Sequence, residues 1–197
     1  HWVRGKKEIG RIVNSKKLGS EAVNICALGG SVGTGASGVL ANVVEVKTWD
    51  ELKLLGEKGV KGKIVFFNRP MDPKLIPMFS SYGGAVDQRA NGASEAAKLG
   101  AIGVIVRSMG VNLEDYPHTG SLRYALNVPK IPAVAIATRH AEVLSELLKD
   151  DKDLKFYFEM HCETLPDAPS FNVIGELKGT ERPEEIIVVG GHLDSWD

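Results

Sequence analysis

The residues with the clearest chemical potential lie near the end of the sequence, where His192 and Asp194 follow a run of apolar residues. This run, residues 186–189, is typical of a buried strand, and Gly190 and Gly191 end it. A spacing of two in an extended chain places both side chains on the same side. A neutral histidine is a good zinc ligand, and a nearby carboxylate can orient it or share the charge of the metal. Taken alone, this spacing is a weak signal: it is compatible with a metal site, but such a pair at a strand end is more often satisfied by local hydrogen bonds.

The elements that would position this pair are two predicted strands, residues 171–177 and 185–189, joined by a turn at Gly179. His192 and Asp194 follow the carboxyl end of the second strand. Ligands of open α/β sheets bind at such ends.

Strands and helices alternate through the middle of the chain, which predicts parallel crossover connections. Thr48 and Glu51 form a capping box, which predicts a helix ending near Gly56. Gly100 is predicted to cap the C-terminus of a second helix, and Thr138 the N-terminus of a third. The predicted strands of this region are residues 39–46, 63–67, 102–106, 133–137 and 154–160, and the second and third helices are residues 93–99 and 138–148.

The N-terminal region predicts two strands joined by a turn at residues 14–19, the second strand being residues 22–28. The glycine-rich stretch that follows, residues 29–35, resembles a phosphate-binding loop. Such a loop needs a helix immediately after it, and here another strand follows. We therefore interpret the stretch as a flexible linker.

Composition excludes some classes of partner. The net charge of −1 offers no broad basic field for nucleic acid or an anionic membrane. No apolar run approaches the roughly 18 residues that a membrane helix needs. Two cysteines, Cys26 and Cys162, are too few for a disulfide framework. The sequence is compatible with a disulfide bond between them, but it favours two buried free thiols.

Several separate motifs, in one order along the chain, resemble those of the co-catalytic zinc exopeptidases, a family in which a protease-associated domain is inserted into the catalytic domain. The resemblance covers nearly the whole chain. Its motifs are residues 1–5, 27–29, 62–65, 96–101, 107–108, 117–120, 130–132, 170–180 and 189–197, the last reading Val-Gly-Gly-His-Leu-Asp-Ser-Trp-Asp.

The resemblance implies a mixed α/β fold, in which a β-rich protease-associated domain with short helices is inserted in a truncated α/β zinc-peptidase domain. It implies that residues 1–36 are the N-terminal part of the catalytic domain, residues 37–161 the protease-associated domain, and residues 162–197 the start of the zinc-binding part. The site of this family holds two zinc ions and a bridging water that attacks the peptide carbonyl. By resemblance, His192 is a zinc ligand and Asp194 is a catalytic residue that supports it.

The remaining ligands of the family, and its glutamate base, would follow Asp197. The resemblance therefore implies a piece of a longer enzyme, inactive alone, with an incomplete zinc site. It also implies short peptide substrates and a secreted or periplasmic location, and it leaves a homodimer open. Aminopeptidase, carboxypeptidase and dipeptidase specificity all stay open. So do two other functions, a protease-associated module that governs substrate access or interactions without catalysis, and a catalytically dead relative that serves as a receptor-like ectodomain.

The other histidines have no metal-ligand partners at a useful spacing, and we interpret His118, His140 and His161 as surface or packing residues. Two predicted connections, residues 68–89 and 108–130, are long enough to indicate function or disorder. His118 lies in the second of them and could face a substrate.

Overall fold

The computed structural model of the protein describes residues 1–193, and within that range it contains the following elements. The strands are β1 (Trp2–Val3), β2 (Ile9–Ser15), β3 (Gly19–Val23), β4 (Ile25–Ala27), β5 (Val39–Val46), β6 (Ile64–Phe67), β7 (Gly103–Arg107), β8 (Ala133–Ile136), β9 (Lys155–Glu159) and β10 (Glu163–Thr164). The helices are α1 (Trp49–Val60), α2 (Met78–Gly83), α3 (Val86–Lys98) and α4 (Thr138–Asp150).

Eight of the strands form one mixed sheet in the order β3-β2-β9-β5-β6-β7-β8-β4. The central four, β5 to β8, are parallel, as the alternation of strands and helices predicted. Antiparallel strands flank them, with β9, β2 and β3 on one side and β4 on the other. The two short strands β1 and β10 pair with each other outside this sheet.

The sheet curls back on itself. Its two edge strands, β3 and β4, follow each other in the chain with Asn24 alone between them. One residue spans only about 3.5 Å, so the two edges must lie next to each other. The result is a nearly closed barrel.

Two hydrophobic clusters lie on the two faces of the curled sheet. The first lies inside the curl, where every one of the eight strands and helix α4 contribute, with Phe66, Phe156 and Phe158 fully buried. The second covers the outer face of the parallel strands with α1 and α3. Phe156 and Phe158 share one face of β9, and both are buried.

Helix ends follow local chemistry in two of three predicted cases. Thr48 and Glu51 form the predicted capping box, although α1 continues past a break at Gly56 (φ +55°) to Val60. Helix α3 begins before the predicted residue 93. Gly100 (φ +79°) ends it, and the amides of Gly100 and Ala101 bond the carbonyls of Ala97 and Ala96.

The predicted cap at Thr138 is wrong. Ala137 is the residue before the first turn of α4, and no side chain caps it. The Thr138 hydroxyl instead accepts a hydrogen bond from the Glu114 amide (2.7 Å) and donates one to the Asn112 carbonyl (2.8 Å). A tertiary contact with the preceding loop has replaced the local cap.

The N-terminal prediction is partly wrong. The strand predicted at residues 22–28 is divided by Asn24 into β3 and β4, which lie at opposite edges of the sheet. The glycine-rich stretch is not a loose linker either. Gly29 exchanges backbone hydrogen bonds with Gly120 and Leu122, Ser31 is fully buried, and the Thr34 amide bonds the Met160 carbonyl.

The two strands predicted at residues 171–177 and 185–189 are wrong for this structure. Both segments are described and neither is a strand. Their apolar side chains are largely exposed, Leu177 by 99% and Val189 by 91%.

The mixed α/β prediction is confirmed. The three predicted domain ranges stay predictions, but the sheet runs across the boundary placed at residue 36, because β2, β3 and β4 precede it and pair with β9 and β8. Over residues 1–193, no helix has the length and apolarity that crossing a lipid bilayer would require.

Candidate functional site

The predicted metal ligand His192 lies in an open cleft at the C-terminal end of the described chain. The cleft has a volume of about 860 Å³ and is lined by residues 170–173 on one side and 190–193 on the other. His192 is exposed there. The sequence pattern had placed His192 at the end of a buried strand, whereas the structure gives an exposed extended segment.

Asp194, the predicted catalytic partner of His192, lies outside the described residues. The geometry of the pair is therefore not part of this structure. Among residues 1–193, no group of three or more His, Cys, Asp or Glu side chains could hold a metal ion. The described residues alone do not fit a zinc centre, since a catalytic zinc usually takes three protein ligands.

Two of the other histidines each pair with one carboxylate. His118 Nε2 lies 2.6 Å from Glu114 Oε2, and the His118 amide donates to Ser108 Oγ at 2.8 Å. His161 Nε2 lies 2.8 Å from Glu159 Oε1. Through its bond to Ser108, His118 is attached next to the carboxyl end of β7.

Sequence reasoning missed a polar network at the carboxyl ends of β5, β6 and β7. The buried Arg107 donates to Glu142 Oε1 (2.6 Å) and Asn68 Oδ1 (3.2 Å). Asn68 donates in turn to Glu45 (2.7 Å), which also accepts from Ser145 Oγ at 2.8 Å. Glu45, Asn68 and Arg107 each end or follow a run of apolar residues in the sequence. Polar residues at such positions indicate groups gathered at the carboxyl edge of a parallel sheet, and this was the signal that the sequence offered.

This network holds a buried charge rather than a reactive group. A buried guanidinium is costly unless it is paired and hydrogen-bonded, and the Glu142 and Asn68 oxygens supply that pairing. The bonds connect helix α4 with three neighbouring strands. The arrangement fixes α4 at this end of the barrel.

A second network fixes the connection that follows β6. Asp87 accepts from Trp49 Nε1 at 2.7 Å and pairs with Arg69. The side-chain amide of Gln88, which is 2% exposed, bonds both the amide (3.0 Å) and the carbonyl (2.7 Å) of Arg69. The predicted long loop is therefore partly helical and firmly attached at its start, while Ile76 and Phe79 near its tip are over 90% exposed.

Both cysteines are buried, as the sequence favoured, and within residues 1–193 no disulfide joins them. Cys162 lies in the inner cluster, where its thiol contacts the Ser31 carbonyl at 3.2 Å. Ile25 and Ala27 also face this cluster. Since side chains alternate along a strand, Cys26 faces the opposite way.

Comparison with known proteins relates the whole chain to one kind of enzyme. Carboxypeptidase Q from Xenopus laevis is 38% identical over all 197 residues, which are 39% of its own length. The chain is homologous to carboxypeptidase Q. The resemblance stated from the motifs is thereby confirmed, and the chain spans about two fifths of the length of the carboxypeptidase Q sequences that it matches.

The fold agrees with this homology to carboxypeptidase Q. The crystal structure of a peptidase M28 precursor from Shewanella amazonensis superposes with a TM-score of 0.91 at 34% identity, over all of this chain and 43% of the solved one. A zinc aminopeptidase from Bacillus subtilis shares the fold at a TM-score of 0.50 and 19% identity, over 83% of this chain and 32% of its own. The sequence matches no protein-family model.

Proposed function

We propose that this chain is part of a zinc-dependent exopeptidase that hydrolyses short peptides with a water activated by two zinc ions. The observation that carries the proposal is a sequence identity of 36–38% to carboxypeptidase Q, in alignments that cover all 197 residues and therefore include His192 and Asp194. A secreted or periplasmic location belongs to the same proposal. Aminopeptidase, carboxypeptidase and dipeptidase action are three forms of the proposed activity, and a panel of peptide substrates distinguishes them.

In this proposal His192 is a zinc ligand and Asp194 supports it. His192 suits the role chemically, because it is exposed in a cleft and its imidazole can donate a nitrogen lone pair. The described residues provide one such donor and no cluster around it. The other ligands and the base must therefore come from residues outside the described range.

Residues 37–161, which supply strands β5 to β9 and the four helices, are proposed to be the protease-associated part, positioned beside the catalytic domain. Within this range Arg107 pairs with Glu142 and Asn68, although its Nε has no hydrogen-bond partner among the described residues. A unit of this kind can shape access to a site without taking part in the chemistry. Exposed apolar residues in the described tail, among them Phe171 and Ile187, are proposed to be covered by the rest of the catalytic domain.

The proposal is tested with the parent protein, taken to include whatever its gene encodes beyond Asp197. We expect about two zinc ions per chain by elemental analysis and chelator-sensitive hydrolysis of a panel of dipeptides and blocked peptides. The variant His192→Ala should lose one zinc and most activity. The matched control is His161→Ala, since His161 bonds Glu159 and is not among the described residues that line the cleft of His192.

A parent that binds no zinc and hydrolyses no peptide would overturn the enzyme assignment. The binding-module alternative would then gain support. It is favoured by one observation, the exposed apolar residues near the tip of the loop after β6, Ile76 at 96% and Phe79 at 91%.

A further inference from the structure

The junction between β3 and β4 depends on one residue, Asn24, which three distant groups hold. Its side-chain amide donates to the Asp115 carbonyl at 2.7 Å, and its carbonyl accepts from the Ala137 amide at 3.2 Å. Its own backbone amide donates to Nδ1 of His140 at 3.3 Å. The point where the barrel closes is therefore attached to the start of α4 and to the loop between β7 and β8.

The bond from Asn24 fixes the protonation state of His140. A backbone N–H can only donate, so Nδ1 of His140 must carry a lone pair and no proton. The neutral ring then has its proton on Nε2. Protonated histidine has a donor at both nitrogens and cannot accept this bond.

We propose that His140 is a pH-sensitive switch at the barrel junction, whose protonation breaks the hydrogen bond from the Asn24 amide and loosens the junction and the attached loop. The loop in question is residues 109–120. It contacts the junction through Asp115, and Arg139, next to His140, holds the Asp115 carboxylate at 2.8 Å. The same loop carries the pair of His118 and Glu114.

Burial and the charges around His140 determine the pH at which it becomes protonated. Burial lowers the pKa of His140 below its ordinary value of 6.5; the carboxylates of Asp115 and Glu21 raise it, and the neighbouring Arg139 lowers it. Burial is the largest of these effects. A histidine with a lowered pKa in the folded state stabilises the fold above pH 6.5, and that contribution is lost as the pH falls through the folded pKa.

Nuclear magnetic resonance of the full 197-residue chain tests the proposal. At pH 7.5, the imidazole nitrogen shifts of His140 should show the tautomer with its proton on Nε2. On acidification, His140 should titrate below 6.5, and the Asn24 and Asp115 amide signals should move with the same midpoint. The Asn24 amide should lose about fivefold of its protection from hydrogen exchange, the change that one typical hydrogen bond controls.

Two variants separate the switch from a general acid effect. In His140→Asn, the side-chain oxygen stands near the position of Nδ1 and does not titrate, so the Asn24 amide should stay bonded at both pH values. In His140→Ala, the Asn24 amide should lack this protection from hydrogen exchange at both pH values. The control His161→Asn removes a remote histidine and should leave the response of the Asn24 amide unchanged.

Two results would overturn the proposal. The first is a His140 ring that titrates at or above its ordinary value while the Asn24 amide does not move. The second is an Asn24 response to acid that persists unchanged in His140→Asn.

Discussion

Ile25 of β4 packs against Gly10 of β2, across the place where the curled sheet meets itself. A Cβ atom on Gly10 would lie 2.9 Å from Cγ2 of Ile25 and 2.9 Å from the carbonyl oxygen of Val23. Contacts this short are not found around ordinary Cβ atoms, and a backbone oxygen cannot turn away. The barrel can close here because residue 10 has no side chain.

We predict that Gly10→Ala lowers the free energy of unfolding by about 1–3 kcal/mol, the usual cost of overpacking a well-packed region. Urea unfolding followed by circular dichroism measures it. Gly110→Ala is the matched control, because a Cβ at Gly110 meets no atom within 4 Å and its φ is not positive. Equal stabilities of Gly10→Ala and the unchanged protein would contradict the close packing of β2 and β4.

The barrel should also define the smallest unit that folds. Residues 1–165 contain all eight strands of the sheet, whereas residues 37–161 lack β2, β3 and β4. Without these strands, the inner cluster loses Ile12, Ile25 and Ala27, and the fully buried Phe156 and Phe158 become exposed. We predict cooperative thermal unfolding for residues 1–165 and none for residues 37–161.

Near-ultraviolet circular dichroism and calorimetry on the two polypeptides check this prediction. The control is residues 1–165 with Phe156→Ala, which keeps all eight strands but leaves a cavity in the inner cluster. Its free energy of unfolding should be about 3–5 kcal/mol lower than that of unchanged residues 1–165. If residues 37–161 alone unfold cooperatively, the N-terminal strands are an addition to the domain and the boundary at residue 36 gains support.

The middle of the fold could be predicted because its strands are short apolar runs, such as residues 64–67, of the kind that a parallel sheet buries on both faces. The break at Asn24 could not. The composition of residues 22–28 is that of one continuous strand. The partners that hold Asn24 are His140 and Asp115, which lie 116 and 91 positions away in the sequence. Local pattern carries no information about partners that distant.

The candidate site also has features that could be predicted from the sequence and features that could not. His192 could be named because its motif is local, and the comparisons support the relation that the motifs indicated. The network around Arg107 could not be named, because Glu45 lies in β5, Asn68 follows β6 and Arg107 ends β7, and the three meet only after the sheet forms. The predicted strands at residues 171–177 and 185–189 have the right composition, but a strand also needs a neighbour with which to share its hydrogen bonds.

The thiol of Cys162 should be unreactive in the folded protein. Burial raises its pKa to about 11, so at pH 8 about one molecule in a thousand carries the reactive thiolate. We predict no labelling of Cys162 by iodoacetamide at pH 8 and complete labelling in denaturant, read by peptide mass spectrometry. Because the pKa is raised from 9.0, the stability that it reflects is present below pH 9 and is lost as the pH rises toward 11. Rapid labelling of the native protein would show that the inner cluster opens.

The last prediction concerns Asp194 in the parent protein and rests on the proposed function. Asp194→Asn keeps the shape of the side chain and removes the charge that would orient and polarise His192. Loss of such a supporting partner typically lowers metal affinity or activity by roughly 10–100-fold. We therefore expect a weaker zinc affinity in chelator competition and a lower kcat/KM for peptide hydrolysis, in a protein with unchanged thermal unfolding once saturated with zinc. The control Glu184→Gln removes a charge from an exposed residue before the motif and should change neither quantity. If Asp194→Asn retains wild-type zinc affinity and activity, the supporting role of Asp194 is wrong.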